Sequence, residues 1–355
     1  MSTQKKSASE SRAGVALFRV AIVGAGSLQG KEVAQVLDDR KFPSVDVKLL
    51  DDDESLGQLE AVGEEVTFIQ GLRAEQFEHV DFTFFASDPA TTRQSWKMVR
   101  DGGSSIVDLS SALEDEPGAR VRSPWIERQR GEDLQLELQP GPAVVAHPAA
   151  TLLALLVLRA QAAGKLTRAV ATVFQPVSDR GQKGVNELHE QTVNLLSFQE
   201  LPKAVFGEQV AFNLVRRYGA EAQPSVESVE RRIVKHYRQI AGPDAPMPAV
   251  ALLQAPVFHG HALSLYLEMS EPMAYGDVAN ALGGEHVQLA RGADPTPTNV
   301  AAAGQEDILV SVTRDGGHEN GFWVWATTDN LRIAARTAVE CAESMAASRP
   351  RGQVQ

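Results

Sequence analysis

Apolar residues in the first half of the chain fall into short runs, and segments of helical periodicity lie between them. Val20–Val23 is such a run, ended by the glycine-rich stretch Gly24-Ala25-Gly26-Ser27-Leu28-Gln29-Gly30. After it Val33, Val36 and Leu37 recur at the spacing of one helix face. Pro43 cannot continue that helix, and Val45–Leu50 predicts a second strand. Val80–Ala86, Ile106–Val107 and Ala143–Ala146 predict three more. Strands alternating with helices imply a parallel sheet covered by helices.

Beyond this point the pattern changes. Thr151–Ala163 is apolar almost throughout and predicts a helix starting near Ala150 and stopped by Gly164. Longer strands follow at Ala169–Val177, Ala251–Phe258, Leu263–Glu268, Asp307–Arg314 and Phe322–Thr327, as in a mixed α+β domain. Gly316-Gly317 reads as the turn between the last two. Trp323 and Trp325 alternate with Phe322 and Val324, the pattern of a packed strand rather than of a base-stacking platform. Glu227, Glu230, Arg231, Arg232 and Lys235 read as the solvated face of an amphipathic helix. Asn330–Ala347 is Ala-rich and helical.

Composition narrows the function classes. The 355 residues include 34 basic and 46 acidic side chains, a formal charge of −12, which disfavours nucleic acid as a partner. The longest apolar run, Ala149–Leu158, is too short to span a bilayer, and the polar first 18 residues read as a loose tail rather than a targeting signal. The expected location is the cytoplasm. The single cysteine, Cys341, excludes an intramolecular disulfide and any multi-cysteine metal site.

The glycine-rich turn is the first candidate for chemistry. Gly24, Gly26 and Gly30 would let a backbone approach a dinucleotide pyrophosphate, with Ser27 and Leu28 at the start of the helix supplying N–H groups and a partial positive charge. The third glycine arrives one residue later than in a strict G-x-G-x-x-G. About 20 residues on, where such folds place a ribose selector, stand Asp51-Asp52-Asp53-Glu54. A carboxylate accepts a bond from a ribose 2′-hydroxyl and repels a 2′-phosphate, so the expected cofactor is NAD ahead of NADP. The alternative is a solvated acidic turn with no nucleotide.

Four stretches then carry a resemblance: FQPVSDRGQKGVNEL (Phe174–Leu188), VAFNL (Val210–Leu214), APVFHGHALSL (Ala255–Leu265) and TDNLR (Thr328–Arg332). The chain resembles the aspartate-semialdehyde dehydrogenase family, and more closely its Usg-type paralogues, from about Arg19 to Ala347. The resemblance implies a Rossmann-like NAD(P)-binding domain of residues 19–148 plus 330–355. It also implies an inserted α+β substrate and dimerisation domain of residues 149–329, and a homodimer. The family's reaction passes through a cysteine thioester, with the nucleophile in an N-P-N-C-[ST] segment at a helix start. The matching residues are His147-Pro148-Ala149-Ala150-Thr151, so the nucleophile position holds Ala150, and a methyl group cannot attack a carbonyl.

Further positions carried by the resemblance point the same way. His261 matches the family's catalytic histidine and Gln175 the residue beside the nucleophile. Gln254 stands where the family has an arginine for a substrate carboxylate. Glu114 follows Asp108-Leu109-Ser110-Ser111-Ala112-Leu113, where the family has a phosphate-binding arginine, and Arg232 matches a substrate-contacting lysine. Asn330 is grouped with the cofactor contacts. Cys341, near the far end of the chain, reads as a small core residue and not as a substitute nucleophile.

Three functional expectations result. The first is a non-catalytic, nucleotide-binding homodimer whose altered pocket serves a small molecule or a protein partner. The second is an NAD(P)-dependent oxidoreductase on a different small carbonyl compound, with His261 as acid–base. The third is a hydrolase-like site using Thr151 with His261, or a metal at His259-x-His261, two histidines expected on one strand face. There His147 would be the third ligand only through the family fold. No carboxylate or cysteine with ligand spacing accompanies the pair, so no metal is the expectation. His79, His189, His236, His286 and His318 read as surface residues.

Overall fold

The computed structural model describes residues 17–52, 56–62, 65–132 and 141–348. Most of the tail (residues 1–16), Asp53 and Glu54 of the acidic run, and the last seven positions, 349–355, lie outside the described residues.

The first part of the chain builds β1 (Phe18–Val23), α1 (Leu28–Asp39), β2 (Ser44–Asp51), the hairpin β3 (Leu59–Val62) and β4 (Glu65–Phe68), and β5 (Gln70–Gly71). It continues with β6 (Phe82–Phe85), α2 (Pro89–Asp101), β7 (Ser105–Asp108), β8 (Arg120–Arg122), α3 (Pro124–Gln129) and β9 (Ala143–Val145). One seven-stranded sheet runs β5-β2-β1-β6-β7-β9-β8, with parallel pairing throughout. Its central strands are unbroken apolar runs because both faces are covered: Val20, Ile22, Phe82 and Phe84 pack towards α1, and Ala21, Val23 and Phe85 towards α2. Five of the seven strands are those the hydrophobic pattern predicts; β5 has only two residues, and β8 is Arg-Val-Arg, with a single apolar position.

The second part contains α4 (Pro148–Ala163), β10 (Leu166–Gln175), α5 (Gly181–Leu196), α6 (Val226–Ala241), β11 (Ala249–Gln254) and β12 (His261–Met269). It ends with α7 (Tyr275–Leu282), β13 (Val287–Leu289), α8 (Asn299–Ala302), β14 (Ile308–Arg314), β15 (Gly321–Thr328) and α9 (Asn330–Ser348). Its six-stranded sheet, β11-β10-β12-β15-β14-β13, is mixed, with parallel pairs β10–β11 and β13–β14 and three antiparallel pairs between. In β15, Phe322, Val324 and Ala326 are buried while Trp323 is 46% exposed, the alternation of a half-covered strand.

Two helices join these layers. α4 is apolar around its whole circumference because α3, α6, α7, α9 and β10 all pack on it. α9 returns to the first sheet beside α1, burying Ala335, Ala338, Val339, Cys341, Ala342 and Met345. Arg332, 8% exposed at the start of α9, ties it there by meeting Glu32, Asp39 and Glu306.

Some expectations are corrected. β11 stops at Gln254 rather than Phe258, because Pro256 has no N–H to give a ladder; Val257 and Phe258 only accept, from Val177 and Ser178 N–H just beyond the end of β10. Gly164 ends α4 in an extended conformation (φ −177°), so no left-handed turn explains the glycine; a side chain there would meet the flexible end of Met273, its Sδ at 2.7 Å. His79, His189 and His318 are exposed, but His236 and His286 are buried. His236 follows Val229 by seven residues and Ile233 by three, which returns it to the apolar face of α6. His286 stacks on Trp125 at 3.9 Å.

Candidate functional site

The turn after β1 keeps the geometry a dinucleotide requires. Gly24 has φ +83°, and a side chain there would lie 2.4 Å from the Ser87 backbone nitrogen; one at Gly30 would lie 2.1 Å from the Gly24 carbonyl oxygen. Ser27 caps α1 by accepting from Gly30 N–H at 2.9 Å. Leu28 opens the helix, half-buried. Asp51, at the end of β2, accepts from the Gly26 backbone N–H at 2.7 Å and from its neighbour's N–H at 2.9 Å. The carboxylate expected to select the ribose therefore fastens the turn. These residues fit a nicotinamide dinucleotide, whose bound form supplies hydride chemistry.

A second strand–turn–helix unit, β9 to α4, holds the nucleophile position. His147 caps α4 by accepting from Ala149 N–H at 3.2 Å, and Pro148 occupies the first helical position. Ala149 and Ala150 are both buried. Thr151 gives its hydroxyl to Ser123 at 3.3 Å and is buried, an orientation that argues against pairing with His261. Cys341 is sealed among apolar residues, where burial pushes its thiol up to about 12, so no thiolate forms there near neutral pH.

Glu114 lies in the loop after β7, which Asp108 holds by accepting from Ser110 and Leu113 N–H at 2.8 and 2.9 Å. Its carboxylate meets three groups of α6: Arg232 Nε at 3.4 Å, Lys235 Nζ at 3.5 Å and His236 Nε2 at 2.8 Å. Burial raises the Glu114 carboxyl, but the His236 bond and the charges of Arg232 and Lys235 outweigh it and bring it down to about 2. His236 Nδ1 accepts from His147 N–H at 2.9 Å, which leaves the proton on Nε2 to be donated to Glu114. Arg232 and Lys235 are thus bound to a carboxylate of the chain itself, and this side of α6 is less solvated than its charge pattern suggests.

Gln254 is completely buried and its amide is used internally. Tyr218 donates to its Oε1 at 2.6 Å, and its Nε2 donates to the carbonyls of Gln175 and Ala255 at 2.8 and 2.9 Å. Nothing in this arrangement grips a substrate carboxylate. Gln175, 2% exposed, keeps its Oε1 without a hydrogen bond. Asn330 likewise fastens the protein: its Oδ1 accepts from Gly260 N–H at 2.9 Å and its Nδ2 donates to Asp179 Oδ1 at 2.7 Å and to Ser178.

The group that sequence reasoning missed is Asp179, in the turn after β10. Its Oδ2 lies 3.0 Å from His261 Nε2, and the His147 and His261 rings are 5.4 Å apart. Burial raises the Asp179 carboxyl, but His261 and His147 beside it and the Asn330 N–H leave it below its ordinary value. Loss of solvent lowers His147 to about 3 and keeps it neutral. His259 is not in this group: Gly260, at φ +85°, turns the chain between it and the start of β12, so the two histidines do not share a strand face. The available signal for Asp179 was its place in the Phe174–Leu188 stretch, four residues after Gln175.

Against known proteins, residues 19–132 match the NAD binding domain of semialdehyde dehydrogenase and residues 155–333 its dimerisation domain. USG-1 protein homologs are similar over nearly the whole chain. That of Pseudomonas aeruginosa is 31% identical, covering 90% of this chain and 94% of that protein; that of Azotobacter vinelandii is 32% identical, covering 91% and 96%. Among solved structures, a probable aspartate-semialdehyde dehydrogenase from Pseudomonas aeruginosa superposes with a TM-score of 0.81 at 29% identity, covering 92% of this chain and 98% of that one. Among the described residues no helix is long and apolar enough to cross a membrane.

Proposed function

Because the chain belongs to the semialdehyde dehydrogenase family and has alanine where that family places its attacking thiol, we propose that it is a dimeric, nucleotide-binding paralogue of the aspartate-semialdehyde dehydrogenases that has left the thioester reaction. The observation that carries this is the buried Ala150 at the start of α4, with the chain's only thiol on the buried face of α9 and held protonated. Glu114 and Gln254 support it, since one neutralises the cations of α6 and the other spends its amide on Tyr218 and two carbonyls. With Ala149 in place of the asparagine before the nucleophile, these are four changes directed at one substrate, and together they argue against that substrate, where a single change could be compensated locally.

In this reading residues 19–148 with 330–355 hold the nucleotide, NAD in preference to NADP because of Asp51. Residues 149–329 carry the altered pocket and the dimer contact of a cytoplasmic protein. Support for a dimer comes from Leu196 (72% exposed), Phe198 (99%), Phe212 (68%) and Leu214 (56%). Gln191 gathers the segments that carry them, accepting from Val210 and Ala211 N–H and donating to the Pro202 and Glu208 carbonyls. The second reading, hydride transfer to another carbonyl compound, draws on buried His261, whose ring nitrogens have no well-aligned hydrogen bond.

The test is an assay of the purified protein with aspartate semialdehyde, phosphate and NAD or NADP, beside a calorimetric titration with each nucleotide. We expect NAD to bind and no reduced nucleotide to form. Ala150→Cys alone should stay inactive, because Glu114 and Gln254 remain. Turnover by the unmodified protein at an enzyme-like rate sinks the proposal; turnover with a different aldehyde but not this one would move it to the second reading.

A further inference from the structure

We propose that His147, Asp179 and His261 bind a divalent transition-metal ion of the zinc type, with a fourth position left for water or a small anionic ligand. One ligand atom from each residue lies within 4.8 Å of the other two. Two imidazoles and one carboxylate are a donor set that suits zinc, which in open sites takes three protein ligands and one exchangeable one.

The unsatisfied state of these groups is the second observation. His261 is completely buried, yet neither ring nitrogen has a hydrogen-bond partner, and Asp179 Oδ2 has none either. The 3.0 Å separation of His261 Nε2 from Asp179 Oδ2 is short enough for a bond but is not aligned for one. Two ligands on the edge of a tetrahedron with bonds of 2.0–2.1 Å lie about 3.3 Å apart. A close, misaligned pair is thus what an ion between them would produce. His147 must close by roughly 1.5 Å to complete the same tetrahedron.

The surroundings support the site. Asn330 holds Asp179 Oδ1 at 2.7 Å, leaving Oδ2 to face the imidazoles. Two cations of the neighbouring segments are engaged elsewhere: Arg232 with Glu114, and Arg180 with the Gln223 and Pro224 carbonyls. Asp179 retains 14% exposure and His147 is half-buried, so an ion can enter from solvent. Ligation through His147 Nε2 requires the ring proton to move to Nδ1, which gives up the long 3.2 Å cap from Ala149 N–H; no net proton is released by that exchange. The site needs neither a thiol nor a nucleotide, and its failure would leave the proposed loss of the thioester reaction untouched.

The experiment uses the full chain, stripped with a chelator and dialysed. Calorimetric titration with Zn²⁺ should give one site per chain, and Co²⁺ should give intense visible bands of four-coordination. His261→Gln and Asp179→Asn, checked for folding by circular dichroism, should each weaken Zn²⁺ binding at least tenfold, whereas His259→Ala should leave it unchanged. Should either of the first two variants fail to fold, His147→Asn carries the same expectation. No Zn²⁺ binding by the unmodified chain, a six-coordinate Co²⁺ spectrum, or tight binding that survives these substitutions would overturn the assignment.

Discussion

Two strand–turn–helix units lie at carboxyl ends of strands in the parallel sheet, and they have fared differently. The β1–α1 turn keeps Gly24 and Gly30, where any side chain would strike backbone at 2.4 and 2.1 Å. The β9–α4 turn keeps its capped helix and its proline but holds Ala149 and Ala150 where the family carries polar and nucleophilic groups. The contrast separates two kinds of constraint. Backbone contact enforces the glycines whether or not a nucleotide ever arrives. Nothing in the packing enforces a thiol, because alanine fills the same buried space with fewer atoms.

The largest effect should come from attacking the enforced turn. Gly24→Ala places a methyl group against Ser87 backbone at φ +83° and is expected to cost about 3 kcal/mol or more, with nucleotide binding lost as well. Urea unfolding reads the first consequence and calorimetry the second. A variant as stable as the parent would show that the turn is not held by contact, and the comparison would fail.

A smaller effect is expected where chemistry has changed. The Glu114 carboxyl is depressed from its ordinary 4.5 to about 2, so folding gains its full contribution above pH 4.5 and loses it as pH falls from 4.5 towards 2. Lys235 is partly exposed, so solvent screens part of this, and about 2 kcal/mol is a fair upper figure. In Glu114→Gln the urea midpoint should fall less between pH 5 and pH 3 than in the parent. Equal slopes would mean that Glu114 is not the anion balancing α6.

How much of this could be read from the chain follows from the same distinction. Repeating patterns gave the parallel sheet, α4, α9 and the long strands, because burial on a defined face leaves a period in the sequence. The Glu114 cluster is not legible in the chain: the resemblance marks Glu114 and Arg232 as separate family positions, and the partners of the carboxylate lie on α6, more than a hundred residues away. His236 was misplaced because its polarity outweighed its position three residues after Ile233. Asp179 was overlooked because a carboxylate in a turn resembles any solvated turn residue until β12 brings His261 beside it. Linear spacing does report a wrong neighbour readily: His259 is two residues from His261, yet Gly260 turns it away.

The smallest effect concerns Asp51, which has two duties in the first turn. As a fastener it accepts from Gly26 N–H at 2.7 Å, and as the proposed selector it would place negative charge where a 2′-phosphate would lie. Asn at this position can still accept the Gly26 bond through its carbonyl oxygen, so Asp51→Asn removes the charge and keeps that bond, although its Nδ2 no longer accepts from Asp52 N–H. The expected result is a nearly unchanged urea midpoint, slightly weaker NAD binding and NADP binding improved relative to NAD by roughly fivefold, about 1 kcal/mol. If stability falls instead and the ratio of the two affinities stays fixed, Asp51 serves the backbone alone. The β1–α1 turn would then stand where the proposed function puts the β9–α4 turn: a scaffold kept by packing without its ligand chemistry.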